Sequence, residues 1–152
     1  MIAYFKANPD MFPELVASSL KASEKTAWRS ALLIGHLMQK EDNRIQCYVD
    51  EYIQVLENAA QGHQRQILVI LDKMKLTNDQ KGQLFNHSLT IWEAVHKIPS
   101  TRIRAFWMME KIAKDYPDLK KELQHFTTSY FTETLSPGIK IHIINNYKSM
   151  LK

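Results

Sequence analysis

An all-α domain, built as a short solenoid of about four antiparallel helical hairpins, is what this sequence predicts on three observations. Apolar residues recur at three- and four-residue intervals with almost no strict alternation, which favours helices over strands. Prolines at 9, 13, 99, 117 and 137 punctuate that pattern, since proline suits a first helical turn and cannot continue a helix from within. Finally, Trp28-Arg29, Gln64-Arg65, Ile103-Arg104 and Ile139-Lys140 each open a run of large apolar residues, and their basic members stand 36, 39 and 36 positions apart. A period of that size marks helical-pair solenoids, in which each pair buries its apolar face only by stacking on its neighbours.

Eight helices follow in order. The first, 9–21, carries Pro9 and Pro13 near its start, and the second, 24–40, carries Trp28-Arg29. The third, 43–58, holds the single cysteine, Cys47, expected to act as a small core hydrophobe. The fourth, 62–75, contains the longest aliphatic run, Ile67 to Leu71, far too short to span a bilayer. The fifth, 78–97, is announced by Thr77 and Gln80, which have capping-box spacing. The sixth, 100–116, follows Pro99, and the seventh, 118–134, follows Pro117. The eighth, 137–151, opens on Ser136-Pro137, a cap oxygen followed by a pre-set first turn. Connections of a few residues make neighbouring helices antiparallel.

Composition limits what such a chain can be. At 152 residues and 45% apolar content it has material for one domain, 1–152, and too little for two well-separated ones. A single cysteine forms no internal disulfide, and the N-terminal residues lack the basic flank and long apolar segment of a secretory signal. A cytoplasmic protein with no membrane partner is the expectation.

The segments Pro99-Ser100-Thr101-Arg102-Ile103-Arg104-Ala105 and Ser136-Pro137-Gly138-Ile139-Lys140 resemble the HEAT/armadillo-like helical repeats, whose second helix opens on an aliphatic-basic dipeptide after a short turn. The resemblance covers nearly the whole chain. It implies a right-handed superhelix whose second helices line a concave surface. One departure stands out: the family often places an aspartate in the turn before the basic residue, and this chain has none there.

Charge is unevenly placed on that framework. The net charge is +4, yet the even-numbered helices, extended to Lys152, hold thirteen of the 20 Lys and Arg residues and only four of the 16 Asp and Glu. The repeat-phased pairs are Arg29 with His36, Arg65 with Asp72, Arg104 with Lys111, and Lys140 with Tyr147. Seven residues are about two turns, so each pair shares a helix face and the four could align as one stripe. If the family analogy holds, that stripe faces an acidic protein segment or a phosphate backbone. The competing reading gives the same cations structural ion pairs or helix-dipole contacts.

Catalytic chemistry finds little support. Glu93/His96 and Glu122/His125 form two Glu-x-x-His units, the pattern of a dinuclear carboxylate site in a helical bundle, with Glu57 and Glu110 as further glutamates. Bundle ligands must project inward, whereas Glu93 lies about 130° from the centre of its helix's apolar stripe. Glu122 and His125 likewise point away from theirs. The six histidines form no HExxH or Cys–His cluster, the four glycines make no phosphate loop, and no GxSxG elbow is present. Neither cofactor nor metal is expected. Trp28, Trp92 and Trp107 fall within apolar stripes and are expected in the core. The expected function is therefore protein binding, with nucleic-acid binding through the basic second helices as the alternative and a di-metal enzyme as a remote third.

Overall fold

A computed structural model describes residues 1–148 of the chain. The ends of the predicted eighth helix (149–151) and Lys152 lie outside the described residues. Among the described residues there are helices and no strands. The chain divides into two compact units, Met1–His87 and Ser88–Lys152.

The first unit begins with a helix the periodicity did not show, α1 (Ile2–Ala7), which has no buried residue. A 3-10 turn over Pro9–Met11 then leads into α2 (Phe12–Ser19), burying Phe12, Leu15, Val16 and Ser19. The helix expected over 24–40 shortens to α3 (Ala27–Leu37), entered through successive turns. It packs against α1, α2 and α6 (Gln61–Asp72), the last being the second helix of the next predicted pair. Second helices of consecutive pairs therefore lie together here, as the three-dozen-residue period requires. The side of α3 that enters the core is small, with Ala27, Ala31 and Ile34 fully buried.

The helix expected over 43–58 breaks into α4 (Asn43–Gln46) and α5 (Val49–Val55), because the Tyr48 N–H reaches only three residues back, to the Ile45 carbonyl, at 2.8 Å. Ile45, Val49, Tyr52, Ile53 and Leu56 still form one buried stripe at helical spacing. Cys47, two residues from Ile45, falls on the opposite side and is exposed, contrary to the core position expected of it.

Two polar devices hold this unit. The Asp42 carboxylate accepts from the Gln39 N–H (3.0 Å), the Arg44 N–H (3.0 Å) and the Arg44 guanidinium (3.0 and 2.7 Å). It thereby caps α4 and anchors a turn in which Glu41 sits at φ 55°, a left-handed conformation uncommon outside glycine. Arg44 in turn lies over the Phe12 ring at 3.9 Å. The second device is buried and joins α2, α5 and α6. Ser19 Oγ donates to the Val16 carbonyl (2.7 Å) and so accepts from Tyr52 OH (2.6 Å), while His63 Nε2 donates to the Ser19 carbonyl (2.6 Å).

Burial holds the His63 pKa below the usual histidine value, with the Ser19 hydrogen bond acting in the opposite sense. The folded protein thus disfavours a proton that the unfolded chain accepts. Stability from this group is complete above about pH 6.5 and is lost as pH falls from there toward the depressed folded value. The urea midpoint should therefore decline from pH 7.5 to pH 5, and His63→Gln should flatten that slope; equal slopes in the two proteins would contradict the assignment.

α7 (Asn78–Glu93) starts with the expected capping box in reciprocal form: Gln80 N–H donates to Thr77 Oγ1 (3.2 Å) and Thr77 N–H to Gln80 Oε1 (2.9 Å). One unit ends and the next begins within this helix. The second unit continues with α8 (Pro99–Ala113), α9 (Pro117–Leu123), a 3-10 turn over Gln124–Phe126, α10 (Ser129–Thr132) and α11 (Pro137–Lys148). The single helix expected over 118–134 is thus two short ones with a turn between. Pro99, Pro117 and Pro137 each occupy a first helical position, as the sequence pattern requires.

Trp92 is the centre of this unit's core. It is fully buried, packs 4.6 Å from the Phe106 ring, and donates its indole N–H to the Phe126 carbonyl at 2.9 Å. Arg102, also fully buried, lies 4.5 Å over the Trp92 ring. Its guanidinium donates to the Trp92 carbonyl from Nε and Nη2 (3.0 and 2.9 Å), to the Phe131 carbonyl (2.7 Å) and to Thr134 Oγ1 (3.0 Å).

Candidate functional site

In the first unit the outward side of α3 carries the features most suited to recognition. Ala27, Ala31 and Ile34 face the core, which turns Trp28, Arg29, Leu32 and His36 outward. Trp28 is 39% exposed, and the Arg29 guanidinium lies 5.4 Å from its ring centroid. With Leu33 and the start of α1, these residues line a groove of about 550 Å³. That volume is ordinary for a binding cleft. The expectation that Trp28 belongs to the core fails because α3 is apolar around more of its circumference than α2 and α6 cover.

The second unit repeats part of this arrangement. On α8, Arg104 lies 5.3 Å from the Trp107 ring, and Trp107 is 43% exposed. Here too the expected core tryptophan is a surface one, and only Trp92 is buried as expected.

The remaining stripe residues have mixed environments. His36, Asp72 and Lys111 are exposed, and Lys140 is half-buried. Arg65 is half-buried, and its Nε is enclosed without a hydrogen-bond partner. Tyr147 does not present a surface: it is buried edge-on against Phe106 at 5.9 Å, and burial together with nearby Glu110 pushes its hydroxyl pKa up. Two other cations counted on the second helices also serve the fold. Arg102 bonds to carbonyls in the core, and Lys73 Nζ donates to the Gly35 carbonyl (2.6 Å), satisfying the last turn of α3.

Glu93, His96, Glu122 and His125 are all exposed. Among the described residues no group of three or more His, Cys, Asp or Glu side chains is placed to hold a metal ion. Two residues that no sequence motif marks matter to the architecture. His63 is 3% exposed, and Arg102, fully buried, donates to carbonyls in the core of the second unit. Arg102 did carry a signal, since it lies at helical spacing from Phe106, Met109 and Ala113 on the buried stripe of α8.

The packing of α3 on α6, whose basic positions stand 36 residues apart, is the arrangement of a helical-repeat domain. The chain belongs to the HEAT repeat domain family, whose model matches residues 1–150. HEAT repeat domains generally mediate protein–protein interaction and are typically non-catalytic. No curated protein and no solved structure matches the chain. Among the described residues no helix is long and apolar enough to cross a membrane.

Proposed function

We propose that this chain is a non-catalytic protein-binding module. The observation that carries the reading is the pairing, on one helix of each unit, of an exposed tryptophan with an arginine stacked on it: Trp28 with Arg29 and Arg104 with Trp107. Exposed aromatic and arginine side chains are the residue types enriched where proteins meet, because they combine large apolar area with directed polar contact. Ile141, 58% exposed on α11, adds apolar surface of the same kind.

The basic bias of the second helices supports a second reading, nucleic-acid binding. The protein reading is preferred because Arg102 and Lys73 are occupied inside the fold, which thins the row of cations a phosphate backbone would need. A tagged chain incubated with lysate of its source should retain one protein in near-stoichiometric amount, and Trp28→Ala combined with Trp107→Ala should reduce retention at least about tenfold. Retention of nucleic acid alone, lost on nuclease treatment and steeply weakened by salt, would instead establish the second reading. Retention of neither would refute both.

A further inference from the structure

We propose that the groove between α1 and α3 receives an acidic amphipathic helix of a partner protein. This rests on the protein-binding reading above and specifies what one surface of it recognises. The groove's walls are almost wholly apolar, with Ile2 on one side and Trp28, Leu32 and Leu33 on the other. Leu32 and Leu33 remain partly exposed beside the 39% exposed Trp28, so apolar surface is left uncovered on the outside of a helix whose inside is already packed.

Length and spacing fit a helical occupant. Trp28 and His36 stand eight positions apart on α3, about 12 Å along its axis. Two turns of a docked helix span that distance and present apolar side chains at i, i+3, i+4 and i+7, the pattern by which helices fill grooves.

Charge selects the occupant's sign. Neither α1 (IAYFKA) nor α3 (AWRSALLIGHL) contains a carboxylate. Arg29 and His36 both line the groove, and they stand two turns apart on α3. Lys6, outside the groove, is the one charged residue of α1, so the titratable cationic groups of these two helices face no carboxylate on either of them. A partner helix flanked by Asp and Glu meets complementary charge at the rim while its apolar side contacts Trp28 and Leu32, and a basic helix meets like charge. A phosphate backbone gains less, because the floor is hydrocarbon and offers no further cations.

The test is fluorescence anisotropy of a dye-labelled synthetic helical peptide, with Leu and Phe at i, i+3, i+4 and i+7 and Asp and Glu elsewhere, titrated with the full chain. A second peptide carries Asn and Gln in place of the acids. The acidic peptide should bind at least about tenfold tighter than the neutral one, and the margin should shrink at 0.5 M salt, where charge is screened. Trp28→Ala should weaken both peptides about tenfold or more, and Arg29→Glu should abolish the acidic preference. Both positions are exposed, so unchanged thermal melts should show both variants folded. Equal affinity for the two peptides, or affinity unaffected by Trp28→Ala, overturns the proposal. So does preferential binding of duplex DNA or RNA at this groove, or sedimentation showing that Trp28→Ala dissolves a self-association in which a second copy fills it. A captured partner whose retention depends on Trp107 and ignores Trp28 would sink the groove and leave the module reading standing. A peptide that binds as described to a chain that captures no protein would do the reverse.

Discussion

Replacing Arg102 by methionine should destabilise the second unit by about 2–5 kcal/mol, the cost of leaving two main-chain carbonyls without their donors. The methylenes of Arg102 have a near match in methionine, so volume changes little. What changes is hydrogen bonding: the Trp92 and Phe131 carbonyls lose their guanidinium donors, and a buried carbonyl left unpaired costs about 1–3 kcal/mol. The stacking over the Trp92 ring goes with it. Chemical denaturation followed by tryptophan fluorescence measures the loss. Lysine should not rescue it, because an ammonium on a flexible stem cannot serve acceptors on both sides as a planar fork does. Thr134→Val, removing only the partner on an exposed residue, should cost far less. A methionine variant as stable as the parent would mean that Arg102 is a tolerated passenger.

Asp42→Asn should cost about 2 kcal/mol at neutral pH, combining a weakened helix cap with loss of the charge-assisted bonds to Arg44. Its pH signature distinguishes it from a generic core defect. The Arg44 guanidinium and the two backbone N–H groups hold the Asp42 pKa down to about 2, against the model-compound value of 3.8, despite the opposing effect of burial. A carboxyl held low in the folded state adds stability that is complete above the unfolded pKa and is lost as pH falls through the folded one. The gap between parent and variant should therefore be widest above about pH 5 and close between about pH 4 and pH 2. A gap independent of pH over that window would show that the carboxylate's charge is not what holds the turn.

Much of the architecture was legible because it depends on spacing. Helical periodicity, prolines at first turns and the Thr77–Gln80 capping box are local, and each reappears in the structure. The short breaks were not legible, because the chain over 43–58 and 118–134 has helix-compatible residues throughout and tertiary packing decides where it turns. The same reason hides Arg102: a basic residue two positions before Arg104 looks like part of a solvated cluster until the carbonyls of Trp92 and Phe131, 10 and 29 residues away, arrive around it. The surface features were half legible. Arg29 and His36 were picked out by repeat phase, but Trp28 was assigned to the core, because apolar periodicity reports which side of a helix is greasy and not how much of it a neighbour covers.

α3 divides its duties between its two sides. Ala27 and Ala31 offer only a methyl each to the core, so almost any change there crowds neighbouring helices. Trp28, Arg29, Leu32 and His36 have no such constraint. The outer residues can therefore drift in evolution while the scaffold stays untouched, and an engineer can graft a binding preference onto the same rod by altering them alone.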